Sequence, residues 1–216
     1  MKKFAVVLSG WGVFDGAEIH ETTLAMYAIV KQGASYDVFA PDMEQHHVIN
    51  HLKGEEMNEK RNVMIEAARI ARGNVKALDQ FDPADYDVLL FPGGFGAAKN
   101  LSTFAFDGPD CKVQVDVEKA IKGMHKAGKP IAALCIAPVL LAKVLGDVKI
   151  TIGQDKGTAE AVVNMGASHE NTDHGEVLID SDNKLFTTPC YMLDATIAQI
   201  GDGAENVVRA VLKSIA

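Results

Sequence analysis

Cys135 stands where one apolar run, "PIAALC", gives way to a second apolar segment of helical period, "APVLLAKVLG". A cysteine on a sharp turn between a strand and a helix presents its sulfur at the end of the sheet, under the N–H groups of the helix that follows. That setting is expected to lower the thiol pKa and enrich the thiolate, the reactive form. The other reading of the same stretch is a small buried hydrophobe, because free cysteine is among the most buried residue types. The stretch by itself leaves both open.

A second stretch, "PGGFG" from Pro92 to Gly96, follows the apolar run "DVLLF". Glycines let a main chain approach a ligand closely, so this stretch could supply a backbone N–H to an oxyanion. A plain tight turn would read the same way, and the stretch lacks the Lys-Ser/Thr ending of a phosphate loop. Glu18 and Glu21 fall at the start of a helical segment, where carboxylates suit the helix dipole whatever else they do. If one of them turns toward Cys135, burial and a neighbouring thiolate would raise its pKa and fit it to move a proton.

His46, His47 and His51 have metal-like spacing, but no cysteine or paired carboxylate completes a set, so neither a metal nor a cofactor is expected. His169 and His174 flank a turn, either exposed or facing a pocket. Cys111 and Cys190 read as ordinary core or rim thiols. The three cysteines are odd in number and lack C-x-x-C spacing, which fits free thiols in a reducing compartment.

Positioning these groups requires strands that end together. Apolar runs alternate with segments of helical period: "FAVVL", then a helix ending at Gly33, "YDVFA", then a helix over "NVMIEAARIARG" stopped by Gly73. "DVLLF", a helix within "CKVQVDVEKAIKGMHKAGK", "PIAAL", "APVLLAKVLG", "VKITIG" and "GTAEAVVNMG" continue the alternation. "EVLIDSDNKLFTT" reads as two strands around an Asp/Asn turn, and a last helix is expected to bend or break at Gly201 to Gly203. The pattern implies a mostly parallel sheet covered on both faces, with ligand sites beyond the carboxyl ends of its strands. Three stretches land there: "SGWGVFDGAEIHE", "PGGFG" and "LCIAP". The irregular loop from Pro41 to Lys60 is expected to cover a site.

With 216 residues, 48% hydrophobic and 23% charged, residues 1–216 are expected to form one α/β unit. A formal charge of −8 opposes nucleic acid and anionic membrane surfaces, both of which need a clustered basic footprint. The first apolar run is shorter than a signal-peptide core and no stretch approaches a membrane span, so a cytoplasmic protein is expected, or one of an organellar matrix after loss of a transit peptide.

Taken together, "VVLSGWGVFDGAEIHE", "FAPD", "VINHLKGE", "RNVMIEAARIARG", "FPGGFGAAKNLSTFA", "AGKPIAALCIAP" and "TTPCYML" resemble the ElbB-type glyoxalase family, a branch of the class I glutamine amidotransferase-like, PfpI-type superfamily. The likeness covers essentially the whole chain. It implies a flavodoxin-like three-layer sandwich and a homodimer. It also implies that Cys135 is the elbow nucleophile, that Glu21 is the glutamate contacting it, and that Gly94 and Ile136, with Gly93 beside them, bind the oxyanion and substrate.

The departures are informative. Ile136 stands where PfpI-type proteases have a histidine, no downstream His-x-Glu pair of a glutaminase occurs, and the region near Gly153 lacks the histidine that deglycase relatives offer. Trp11 fills a glycine-flanked position where relatives often have cysteine, and would narrow the pocket or seal the core. Glu18 and His169 are further pocket candidates. The activity implied is therefore a cofactor-free conversion of a small 2-oxoaldehyde, glyoxal or methylglyoxal, to its 2-hydroxy acid through a hemithioacetal on Cys135, with deglycation as related chemistry. Two other readings differ in kind: an oxidation sensor or partner-binding protein using Cys135 without significant turnover, and a glutaminase, which the missing His-x-Glu opposes.

Overall fold

The computed structural model describes residues 1–216. Seven strands form one sheet: Lys3–Val7 (β1), Ser35–Ala40 (β2), Val75–Ala77 (β3), Val88–Phe91 (β4), Ile131–Leu134 (β5), Leu178–Asp180 (β6) and Leu185–Thr188 (β7). Their spatial order is β6-β7-β5-β4-β1-β2-β3. All neighbours are parallel except β6 on β7.

Successive residues of a strand point to opposite faces, and here both faces are apolar. In β1 and the residue after it, Phe4, Val6 and Leu8 enter one core while Ala5 and Val7 enter the other; in β4, Val88 and Leu90 part from Leu89 and Phe91 in the same way. Helices Ile19–Lys31 (α1) and Ile197–Ser214 (α8) cover the first face through Ile29, Ile200, Val207 and Val211. Between them lie Val63–Ala67 (α2), Phe95–Lys99 (α3), Phe104–Asp107 (α4), Val115–Lys126 (α5), Pro138–Leu145 (α6) and Lys156–Asn164 (α7). Of these, α5 and α6 cover the second face with Val117, Ile121, Met124 and Leu140. This is the flavodoxin-like three-layer α/β sandwich that the alternation and the resemblance call for.

The chain runs outward from β1 through β2 to β3, then returns to lay β4 on the other side of β1. The connections after β1 and β4 therefore leave in opposite directions and open a crevice at the carboxyl ends of these two strands, with β5 next in line. That switch point positions the site.

Two expectations need correction, and one strand had none. The helix over "NVMIEAARIARG" stops at Ala67, and the chain passes through turns in which Arg72 takes a left-handed φ of 53° before Gly73. The edge strand β3 that follows has only three residues and reads as no pattern at all. The last helix runs unbroken through Gly201 and Gly203. Each glycine costs a helix about 1 kcal/mol, which the burial of Ile200, Ala204, Val207, Val208 and Val211 outweighs. A Cβ on Gly203 would also lie 3.4 Å from Thr188 Oγ1 and 3.5 Å from Cys190 Sγ, so a small residue keeps α8 close to the sheet.

Candidate active site

Leaving β5, the chain turns at Cys135, whose φ of 59° lies in the left-handed region that non-glycine residues rarely occupy. The turn is held by the Cys135 N–H donating to Thr188 O at 2.9 Å and the Ala137 N–H donating to Leu134 O at 3.0 Å. Pro138 then opens α6 at a position where its missing N–H costs nothing. This strain, typically 1–3 kcal/mol, aims the thiol at the crevice while leaving it only 7% exposed.

Glu21, in the first turn of α1, is fully buried. Its Oε2 accepts from the Gly93 N–H at 2.9 Å and its Oε1 from the Tyr191 N–H at 3.2 Å, and its carboxyl lies beside the Cys135 thiol. Gly93 is what permits this closeness: a Cβ there would stand 2.4 Å from Cys135 Cβ and 2.6 Å from Glu21 Oε2. Its N–H is spent on Glu21, so of the three backbone groups expected to bind an oxyanion, only those of Gly94 and Ile136 face the sulfur. Gly94 manages this with a φ of 96° and no room for a side chain, since a Cβ would lie 2.4 Å from Gly16 O.

Burial, with the charge of Glu18 nearby, pushes the Glu21 carboxyl up to about 7. Burial and the Glu21 charge also push the Cys135 thiol well above its ordinary value, and the two N–H groups offset this only in part. The expected lowering of the thiol pKa is thus reversed, because desolvation disfavours the anion more than the start of a short helix favours it. Each partner opposes ionisation of the other, so the pair keeps one proton after giving up its first.

Glu18 caps α1, its side chain accepting from the Glu21 N–H at 2.7 Å while its own N–H donates to Gly93 O at 3.0 Å. It orders the helix start rather than facing the cavity. Trp11 is half-buried in the loop after β1 and His169 Nε2 accepts from the Ile152 N–H at 3.3 Å; neither lines the cavity above Cys135.

That cavity measures about 380 Å³. Its floor is Cys135, Gly94 and Ile136, and its walls are Val13, Phe95, Ala98, Phe104, Ala105, Tyr191 and Met192, with Asp155 and Thr158 as its polar members. The loop from Pro41 to Lys60 does not line it. Instead that loop braces the Gly10–Gly16 segment: the Ile49 N–H donates to Asp15 Oδ2 at 2.6 Å and the Phe14 N–H to His51 Nε2 at 3.2 Å. Asn100 ties both together, donating to Ser9 O and Asp15 O and accepting from the His46 N–H, each at 2.9 Å. His46, His47 and His51 belong to no cluster of metal-binding residues.

Two residues at the site, Tyr191 and Cys190, lie in "TTPCYML" but are given no role there by the sequence. Tyr191 holds Glu21 by its backbone, lines the cavity by its ring, and its hydroxyl lies 2.7 Å from His20 Nδ1. His20 directly precedes Glu21, which is the one clue available, but nothing local joins it to a tyrosine 171 positions later. Cys190, beside Tyr191, has a left-handed φ of 43°, is buried, and has its thiol pushed well up by burial and by the charge of Glu21. It stands close behind the pair rather than elsewhere in the core.

The model of the DJ-1/PfpI family matches residues 11–187. The human protein named glutamine amidotransferase-like class 1 domain-containing protein 3, mitochondrial, is 48% identical over 98% of this chain and 82% of its own length. The zebrafish (Danio rerio) ES1 protein, mitochondrial, is 37% identical over 98% of this chain and 86% of its own. Among solved structures, an isoprenoid biosynthesis protein with amidotransferase-like domain from Ehrlichia chaffeensis superposes with a TM-score of 0.93 at 32% identity, each chain covered completely. Glyoxalase III from Candida albicans superposes with a TM-score of 0.63 at 17% identity, over 99% of this chain and 97% of its own, a likeness of fold. With a family model spanning most of the chain and relatives of this identity along nearly all of it, the chain belongs to the DJ-1/PfpI family.

Proposed function

We propose that the chain is a glutathione-independent glyoxalase of the ElbB type, converting a 2-oxoaldehyde to the 2-hydroxy acid without a cofactor. The observation that carries this reading is the buried Cys135–Glu21 pair with the Gly94 and Ile136 N–H groups facing the sulfur, in a cavity lined by no histidine. An aldehyde is electrophilic enough for such a pair, whereas amide cleavage needs an acid for its leaving amine.

In the one-proton state of the pair, sulfur attacks the aldehyde carbon as its proton rests on Glu21. The carbonyl electrons move to oxygen, held by the two N–H groups, and Glu21 gives that oxygen its proton to complete the hemithioacetal. The Glu21 carboxylate then takes the hydrogen from the former aldehyde carbon and the electrons pass to the neighbouring carbonyl to form an enediolate. That proton returns to the second carbon while the hydroxyl proton on the first carbon passes to the oxygen of the second, restoring a carbonyl beside the sulfur. A thioester results. Water adds to it, the C–S bond breaks, and the thiol recovers its proton as the acid leaves.

A sensor that acts through oxidation of Cys135 is less well supported, because a buried thiol with a raised pKa is a poor target for peroxide. The glyoxalase reading includes the homodimer, read out by light scattering. Free buried thiols suit a reducing compartment, and the mitochondrial names of the relatives favour an organellar matrix over the cytoplasm. The test is glyoxal and methylglyoxal consumption without glutathione, with the acid product quantified, in wild type, Cys135→Ser and Glu21→Gln. Both variants should fall at least 100-fold. Wild-type turnover no faster than that of a free thiol at equal concentration would refute the reading.

A further inference from the structure

Glyoxal has four non-hydrogen atoms, yet the cavity of about 380 Å³ above Cys135 lies within the range of sites that enclose far larger ligands. Nine of its twelve lining residues are hydrophobic. Phe95, Phe104, Ile136 and Met192 are the large apolar side chains of this lining. Binding energy from such a lining is available only to a substrate with an apolar part to place against it.

Charge narrows the class further. The one charged group in the lining is Asp155, at the exposed rim, where its carboxylate caps α7 by accepting from the Thr158 N–H at 2.8 Å. Of the lysines near this end of the molecule, Lys99 donates to Phe14 O at 3.0 Å and Lys143 to Pro109 O at 2.8 Å, while Lys156, next to Asp155, is exposed and outside the lining. A phosphate or carboxylate on the substrate would enter with no cation in the lining to meet it and one anion there to oppose it.

Resting on the glyoxalase reading, we propose that the substrate is an uncharged 2-oxoaldehyde bearing an aryl or branched alkyl group. The aldehyde carbon reaches Cys135, its oxygen lies at the Gly94 and Ile136 N–H groups, and the apolar group packs on Phe95, Phe104, Ile136 and Met192. The overall conversion is R–CO–CHO plus water to R–CHOH–COOH, so phenylglyoxal gives mandelate.

The experiment compares kcat/KM for phenylglyoxal, 4-carboxyphenylglyoxal, methylglyoxal and glyoxal in wild type and in Ala105→Trp, a substitution at an exposed position of the cavity wall. A second readout needs no turnover: the rate of Cys135 alkylation by 2-bromoacetophenone relative to bromoacetone, each divided by its rate with glutathione. One extra methylene in an apolar pocket changes specificity roughly 10-fold or more, so phenylglyoxal should exceed methylglyoxal at least about 10-fold by the same rule. Its carboxylated analogue should lose most of that gain, and Ala105→Trp should cut the phenyl preference in both readouts. Turnover with equal constants for phenylglyoxal and methylglyoxal, or no loss on adding the carboxylate, overturns this substrate class while the glyoxalase reading stands. No turnover of any aldehyde, with the alkylation preference intact, overturns the glyoxalase reading and the substrate with it, and supports only the affinity of the cavity for an apolar group.

Discussion

Replacing Glu21 by Gln should change stability by an amount that depends on pH, and the dependence can be worked out from the site. The folded chain raises this carboxyl from an ordinary 4.5 to about 7, chiefly because it is buried. A group that holds its proton more tightly when folded favours the folded state at low pH. That advantage is lost as pH rises from the unfolded pKa to the folded one. At 1.36 kcal/mol per pKa unit, the wild type pays about 3 kcal/mol above pH 7 that it does not pay below pH 4.

Glutamine is never ionised, so it carries none of this cost. Its own penalties, such as an amide N–H₂ turned toward the Tyr191 N–H or the thiol, are the same at every pH. The difference in unfolding free energy, Glu21→Gln minus wild type, should therefore move in favour of the variant by roughly 2–3 kcal/mol between pH 5 and pH 8. Urea unfolding at both pH values measures it, and repeating the comparison in a Cys135→Ser background removes the thiol from the titration. A difference that stays constant between pH 5 and pH 8 would refute the burial argument and the proton accounting built on it.

Other consequences are checked more simply. In 2-oxoaldehyde turnover, kcat/KM should rise with pH through about 7, since below this the pair carries two protons and offers no nucleophile; a profile flat from pH 5.5 to 8.5 would contradict this. Gly93→Ala places a methyl group 2.4 Å from Cys135 Cβ, and should cost about 1–3 kcal/mol of stability in denaturant unfolding and slow Cys135 alkylation at least 10-fold. Asn100→Ala removes three hydrogen bonds to backbone, two of them buried in the loop after β1 and one to the His46 N–H. It should lower stability by about 2–4 kcal/mol, with Cys135 alkylation changed less than by Gly93→Ala.

The sheet was legible because its strands are buried on both faces. "FAVVL", "DVLLF" and "PIAAL" are uninterrupted apolar runs, and each is followed by glycine or cysteine where the chain must turn sharply. That junction marked Cys135 as a candidate elbow but left a buried core thiol equally open, and the left-handed φ of 59° places the turn there. The carboxyl beside it could not be read from its own stretch: Glu21 meets Cys135 only because β1, β4 and β5 end together, and its sequence position is equally suited to stabilising a helix start. The sign of the thiol shift was misjudged for a related reason. The helix N–H groups are local and visible in sequence, whereas desolvation and the Glu21 charge act through space. Tyr191 and His20 were missed because their contact joins distant parts of the chain, and the unbroken α8 because burial of its apolar stripe overrides two glycines that read locally as a break.

The account depends on a covalent acyl intermediate on Cys135, and rapid acid quenching during turnover of phenylglyoxal, followed by mass analysis of the peptide carrying Cys135, tests that most directly. The predicted result is an adduct of the aldehyde's mass on Cys135, discharged by hydroxylamine as the hydroxamate of the 2-hydroxy acid and absent from Cys135→Ser. Turnover that proceeds in Cys135→Ser, or in wild type with no adduct on this residue, would contradict it.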